Sequence, residues 1–225
     1  MSFKQHFVYW IFPTTVVSLL IAMYFSQQPT LMWIMAPEVN RELGLLESLQ
    51  HLLLLIMAIV WARAAWKSQI GTERALYILI GAGTAFVLLE ELNYFTHYWW
   101  AINGWDFDTL PGINVHNKGD LSDNFKDAGD IFLIGFFVLF PLAAARIDNA
   151  WVNYLRPSRM FILALICALL TSRMAHFLEE SYAPENNYFS ANIGEYRELF
   201  VYWIWFLYSW ILTHYRQWPL KAKTA

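Results

Sequence analysis

Carboxylate and imidazole side chains occur in three clusters, each inside a stretch of sequence that is otherwise apolar. The clusters are Glu47 with His51, Glu90 and Glu91 with His97, and His176 with Glu179 and Glu180. An ionised carboxylate in hydrocarbon costs several kcal/mol unless it is paired, so such residues usually face a bundle interior or a water-filled cavity. The three clusters are therefore the first candidates for a functional site.

Imidazole and carboxylate together are ligands for zinc, iron or manganese, and di-metal sites in helical bundles are built from Glu and His on different helices. Glu47 and His51 are four residues apart, which places both on one face of a helix. His176 and Glu179 have the equivalent three-residue spacing. The order Glu-x-x-His that is usual in such bundles is absent. A buried structural network, in which Arg173 neutralises Glu179 or Glu90, remains an alternative to metal binding.

The segments that carry these clusters are apolar windows of about 20 residues, the length that a helix needs to cross a membrane. We predict helices at about residues 7–26, 44–62, 75–97, 131–147, 160–180 and 199–213. Only 15% of the residues are charged, compared with about 25% in an ordinary soluble domain. The predicted fold class is all-α, with residues 1–225 forming one six-helix transmembrane bundle.

The basic residues are concentrated on one side of the predicted bundle. That side holds both termini and ten of the 15 Lys and Arg residues: Lys4, Arg63, Lys67, Arg74, Arg146, Arg156, Arg159, Arg216, Lys221 and Lys223. Because positively charged loops stay in the cytoplasm, we expect both termini to be cytoplasmic. The segment from Tyr98 to Asp130 then lies on the outer side, and its length predicts a cap over the outer helix ends.

The helical rise of about 1.5 Å per residue allows the depth of each polar residue to be calculated. Measured from the outer end of each helix, six residues fall within roughly 12 Å of the outer surface: Glu47, His51, Glu90, Glu91, His176 and Glu179. They are predicted to share one layer of the bilayer, where His116 of the capping loop can reach them.

Three fragments resemble a family of bacterial polytopic integral membrane proteins. They are the segment Glu42-Leu43-Gly44-Leu45-Leu46-Glu47, the pair Glu90-Glu91, and the segment Asn114-Val115-His116-Asn117. That family typically has Ser-Trp-Gly-Gln after the Glu pair, whereas Leu92-Asn93-Tyr94-Phe95 stands here, so the resemblance covers about the middle third of the chain. It implies that Glu47, Glu90, Glu91, His116 and Asn117 belong to one pattern. It implies no particular activity. From the apolar windows and the charge distribution, we expect a multi-pass protein of the bacterial inner membrane.

The function that we expect is a membrane-embedded, metal-dependent enzyme with its site near the periplasmic leaflet. Zinc or iron would be held by Glu47, His51, Glu91, His176 and Glu179, while Glu90 and His116 would be catalytic. A bound metal polarises a substrate oxygen and activates water. Membrane lipids or other apolar molecules are the natural substrates, by hydrolysis at a zinc site or by oxidation at two irons.

Two other functions fit the same sequence. A non-enzymatic accessory subunit of a larger membrane protein complex would use its aromatic surface for partner helices. A proton- or ion-coupled transporter would use Glu and His as a relay, but it needs polar residues in the cytoplasmic half, where residues 52–60 and 75–89 are almost purely apolar. The sequence has no basic groove for nucleic acid and no nucleotide-binding motif.

Overall fold

A computed structural model of the full chain describes residues 2–26, 28–37, 43–106, 120–182 and 193–219. These residues contain helices and no strands. In chain order the helices are α1 (Phe3–Phe25), α2 (Pro29–Met35), α3 (Leu45–Lys67), α4 (Gly71–Glu91), α5 (Thr96–Asn103), α6 (Asp120–Leu133, Ile134–Leu139 and Phe140–Ala143), α7 (Ala150–Leu155), α8 (Met160–Tyr182) and α9 (Glu195–His214). The prediction of an all-α fold is confirmed for this part of the chain.

Five segments are long and apolar enough to cross a membrane: Phe3–Phe25, Leu45–Lys67, Gly71–Glu91, Asp127–Arg146 and Ala150–Ser181. By length and composition, the chain is a multi-pass membrane protein. The sixth predicted window corresponds to α9, which is helical over 20 residues but is not one of the five. Its many Trp and Tyr residues and the acidic residues of its first turn lower its hydropathy.

Two helices contain a π-helical stretch next to a proline. In α1 the stretch Phe7–Ile11 comes just before Pro13, and in α6 the stretch Ile134–Leu139 comes just before Pro141. Proline lacks an N–H and its ring clashes with the carbonyl four residues earlier, so the hydrogen-bond pattern shifts locally. Both helices nevertheless remain continuous.

The core of the bundle is built around α9. It packs against α1, α3 and α8, while the most extensive helix contact is between α3 and α4. Aromatic rings of α6, α8 and α9 meet edge to face in one cluster: Phe136, Phe137, Phe161, Trp205 and Tyr208. The outward faces of the long helices carry large apolar residues instead of charges, including Leu55, Ile59, Leu79 and Leu170. Such a surface suits hydrocarbon and not water.

One end of the bundle is tied together by hydrogen bonds, and we call it the basic end (residues 63–74, 146–159 and 216). The carboxylate of Glu73 accepts hydrogen bonds from Ser68 at 2.7 Å and from Tyr77 at 3.1 Å. The Tyr77 hydroxyl lies 2.9 Å from that of Tyr154 on α7. Arg216, just beyond α9, donates to the main-chain carbonyl of Tyr154. Segments that hold seven of the 15 basic residues therefore meet at one end.

Candidate functional site

The opposite end of the bundle holds a layer of buried and partly exposed polar residues, which we call the acidic layer (Glu47, Gln50, His51, Glu90, Glu91, Asn93, Tyr94, Tyr98, Glu195 and Tyr202). On α3, Glu47, Gln50 and His51 are all buried. Positions separated by three and four residues share a helix face, so these side chains project together away from lipid. The polar face is surrounded by buried apolar positions of the same helix, Leu46 and Leu54.

His51 is the residue of the layer that is best suited to a chemical role. Its side chain is only 8% exposed, and its Nδ1 lies 3.3 Å from the Tyr98 hydroxyl. The ring also faces the main chain of Glu91. Its second nitrogen, Nε2, is buried and makes no hydrogen bond within the described residues. Buried polar atoms are nearly always paired, which makes this nitrogen a candidate contact point for another molecule.

A second unpaired atom lies beside the first. The Gln50 side-chain nitrogen donates to the Glu195 main-chain carbonyl at 3.0 Å and to the Glu195 carboxylate at 2.9 Å, which connects α3 to the start of α9. The amide is thereby fixed in orientation. Its oxygen, Oε1, is fully buried and has no hydrogen-bond partner in the described part of the chain. Adjacent residues of α3 therefore present one open acceptor and one open imidazole nitrogen.

The two glutamates at the end of α4 are held by tyrosine hydroxyls. Tyr202 of α9 donates to Glu91 Oε1 at 2.7 Å, and Tyr94 donates to Glu90 Oε1. The hydrogen bond to Glu90 raises the pKa of the Tyr94 phenol, because an ionised phenol could no longer donate it. Glu90 itself is buried. Both carboxylates are thus oriented by fixed donors.

The chain between α4 and α5 is strained. Asn93, Tyr94 and Phe95 have φ angles of 43°, 54° and 67°, values that place three consecutive residues other than glycine in the left-handed region. Each such residue costs about 1–2 kcal/mol, and strain of this kind concentrates at functional sites. The turn ends α4 at Glu91, which brings Tyr98 of α5 back over His51.

The expectation that residues 75–97 form one helix is therefore wrong at its outer end. Glu90, Asn93, Tyr94 and His97 do not form a continuous helical stripe, because the left-handed turn interrupts the helix. Nevertheless, Glu90 and Tyr94 remain in contact through their hydrogen bond.

His176 and Glu179 lie on α8 and do not join the acidic layer. Their side chains are 47% and 21% exposed, and His176 Nδ1 lies 3.6 Å from a Glu179 carboxylate oxygen. Neither makes a hydrogen bond or ion pair with any other described residue. Helix α8 packs mainly against α1 and α9, which leaves this pair on an outer face. Arg173, on the same helix, is also exposed and does not neutralise a buried glutamate.

The five predicted metal ligands are not brought together. Among the residues that the structure describes, no three His, Cys, Asp or Glu side chains are arranged to hold a metal ion. The structure places Glu47, His51 and Glu91 in the acidic layer but leaves His176 and Glu179 outside it. The predicted catalytic residue Glu90 also lies in the layer, whereas His116 falls outside the described residues.

Six residues of the acidic layer were not among the predicted site residues: Gln50, Asn93, Tyr94, Tyr98, Glu195 and Tyr202. Tyr98 and Tyr202 lie near the predicted membrane interfaces, where aromatic residues usually serve as anchors. A signal was present for Gln50 and Tyr202, because the helical spacing places each of them on the same face as buried residues of its own helix.

The chain matches no known protein family, and neither a curated protein nor a solved structure is detectably similar to it. The function must therefore be inferred from the geometry of the acidic layer.

Proposed function

We propose that this protein is a membrane-embedded enzyme that uses carboxylate and imidazole groups to act on a lipid or another apolar substrate. The observation that carries the proposal is the unpaired His51 Nε2, which is buried in a bundle of apolar helices, one helical turn from Glu47 and next to the main chain of Glu91. A positioned imidazole is the commonest general acid or base in enzymes. A purely structural histidine would be expected to have both nitrogens paired.

The hydrogen bonds of the layer support this role. The contact between the Tyr98 hydroxyl and His51 Nδ1 fixes the plane of the imidazole ring. In many active sites a third group orients the base in this way. Gln50 Oε1 offers an acceptor for a hydroxyl or amide N–H of the substrate. Glu47 and Glu90 place two further buried carboxyl groups in the same layer.

An apolar groove next to the layer supports a substrate with a hydrocarbon chain. The groove has a volume of about 160 Å³ and lies between α1, α3 and α9. Its wall includes Leu49, Leu52 and Leu53 of α3, the sequence neighbours of Gln50 and His51. A molecule with its chain in this groove has its polar end close to the acidic layer. Entry is lateral, from the surrounding lipid.

We also propose that α9 crosses the membrane with the five apolar segments, which gives a six-helix bundle. The basic end then faces the cytoplasm of a bacterial inner membrane, with both termini on that side, because the positive-inside rule applies to its short loops. The acidic layer then lies near the periplasmic surface; most of the segment between α5 and α6, the predicted cap, falls outside the described residues.

A direct test is to incubate the purified protein in detergent with a total bacterial lipid extract and to follow each lipid species by mass spectrometry. We expect one lipid class to be consumed by the wild-type protein, and the rate to fall about 100-fold or more in His51→Gln, the usual effect of removing a general acid or base. If the wild-type protein consumes no lipid species, the enzymatic proposal is overturned and an accessory subunit is favoured.

The variant His176→Gln separates the acid–base form of this proposal from a metal-dependent form. Because His176 lies outside the acidic layer, it has no role in the acid–base form of the proposal. The variant should therefore consume lipid at the wild-type rate. A metal held by Glu47, His51, Glu91, His176 and Glu179 requires a different arrangement of α8 and would make this variant inactive. Elemental analysis for zinc and iron in the purified protein provides the second measurement.

A further inference from the structure

A second cavity lies at the basic end, far along the helices from the acidic layer. It has a volume of about 330 Å³ and is bordered by the end of α6, by α7, by the start of α8 and by the residue Arg216 beyond α9. Three of its eight lining residues are arginines. We call it the arginine pocket (Pro141, Ala145, Asn153, Arg156, Pro157, Ser158, Arg159 and Arg216).

Two of the arginines are fixed by main-chain carbonyls. Arg156 Nη1 donates to the Ala144 carbonyl at 2.7 Å, where α6 ends. Arg216 donates through Nη2 to the Arg156 carbonyl at 2.7 Å and through Nη1 to the Tyr154 carbonyl, where α7 ends. A guanidinium has five N–H donors, so each keeps donors that these bonds do not use. The pocket is therefore preorganised by backbone and not by acidic side chains.

Among the described residues, no carboxylate neutralises the arginines of the pocket. No carboxylate of this part of the chain lies within ion-pair distance of Arg156, Arg159 or Arg216. Asp148 accepts a hydrogen bond from Asn153 at 3.2 Å and does not line the pocket. Burial lowers the pKa of Arg216, and the positive charge of Arg156 acts in the same direction. Arg156 and Arg216 are both half-buried, so a bound anion would offset the repulsion between their guanidinium groups.

We propose that the arginine pocket binds the phosphate group of an anionic phospholipid from the adjacent leaflet. Arginine forms paired hydrogen bonds to phosphate oxygens, and basic pockets between membrane helices on the cytoplasmic side bind lipid head groups. The positive end of the α8 dipole lies at the same rim, just after Arg159. Trp151 of α7 is exposed beside Trp218, as expected for a segment at head-group depth.

The test uses the purified full-length protein in neutral detergent and compares Arg159→Gln with Arg146→Gln. Arg159 lines the pocket, is exposed and makes no side-chain hydrogen bond or ion pair to described residues, so its loss should not disturb folding. Arg146 carries the same charge at the same end, is also exposed, but does not line the pocket. Thermal stability is measured with added dioleoyl phosphatidylglycerol, with dioleoyl phosphatidylcholine, and with inorganic phosphate against sodium chloride of equal ionic strength.

We expect phosphatidylglycerol to raise the melting temperature of the wild type and of Arg146→Gln, and phosphatidylcholine to have little effect. The apparent affinity of Arg159→Gln should be about tenfold weaker, the effect of losing one charge-assisted contact. If inorganic phosphate stabilises the protein equally well and Arg159→Gln weakens it, the ligand is a soluble phosphate, and the lipid assignment is overturned. If the two variants respond equally, or if neither anion has an effect, the proposal that the arginine pocket binds phosphate is overturned.

Discussion

Replacing Tyr202 by Phe removes a single hydroxyl that joins α9 to the end of α4. The hydroxyl donates to the Glu91 carboxylate at 2.7 Å. A hydrogen bond to a charged group contributes about 1.5–3 kcal/mol to stability. The ring itself keeps its packing, because Phe has the same shape. In a protein of 150–250 residues, 1 kcal/mol corresponds to about 2–4 °C in Tm, so we expect Tyr202→Phe to lower Tm by about 3–12 °C.

The control is Tyr215→Phe, which loses the same hydroxyl from a side chain that is 76% exposed. We expect its Tm to stay within about 1 °C of the wild type, since exposed substitutions rarely exceed 0.5 kcal/mol. A double-mutant cycle of Tyr202→Phe with Glu91→Gln isolates the pair. A coupling energy near zero would refute the reasoning, because it would mean that α9 does not bring Tyr202 to Glu91 and that the acidic layer lacks this wall.

Three further outcomes follow from individual contacts. A β-carbon on Gly81 would lie 3.0 Å from the Trp61 Cβ, whereas one on Gly83 would meet nothing within 4 Å; Gly81→Ala should therefore be less stable than Gly83→Ala by about 1–3 kcal/mol in thermal unfolding. At Phe95, where φ is 67°, the variant Phe95→Gly should be more stable than Phe95→Ala by about 1 kcal/mol, because alanine has a β-carbon that is strained at positive φ and glycine has none. Arg197→Gln removes a partly exposed ion pair between α6 and α9, and chemical denaturation should show a loss below about 1 kcal/mol.

The apolar windows of the sequence predicted much of the fold, because a helix that must satisfy its own backbone in lipid leaves a long uncharged stretch. The spacing of Glu47 and His51 placed them on one face of α3, and both are buried. The same reasoning applied to His176 and Glu179 predicted a buried pair that the structure shows at the surface of α8. Spacing fixes which residues share a face, but not which way that face turns.

The end of α4 was harder to predict because the sequence contains no glycine or proline there. The segment Leu92-Asn93-Tyr94-Phe95 has only Asn93 as a residue that tolerates positive φ. Its left-handed turn is accompanied by the local Tyr94–Glu90 hydrogen bond, by the burial of Asn93 and by the long-range contact between Tyr98 and His51. Local propensity could not reveal this, so the bend that carries Tyr98 to His51 was missed.

The acidic layer combines several features that each reduce stability. Three consecutive residues have strained backbones, Gln50 and His51 each leave a buried atom unpaired, and glutamates are buried beside them. At about 1–3 kcal/mol for each strained residue or unpaired group, these features together compare with the 5–15 kcal/mol net stability of a typical protein. The basic end forms a hydrogen-bond network around Glu73, although Trp218 Nε1 there and Trp61 Nε1 of α3 are also buried without a hydrogen-bond partner among the described residues. The acidic layer differs in combining an unpaired imidazole nitrogen with a strained turn, and this combination favours a site selected for binding or chemistry over one selected for stability.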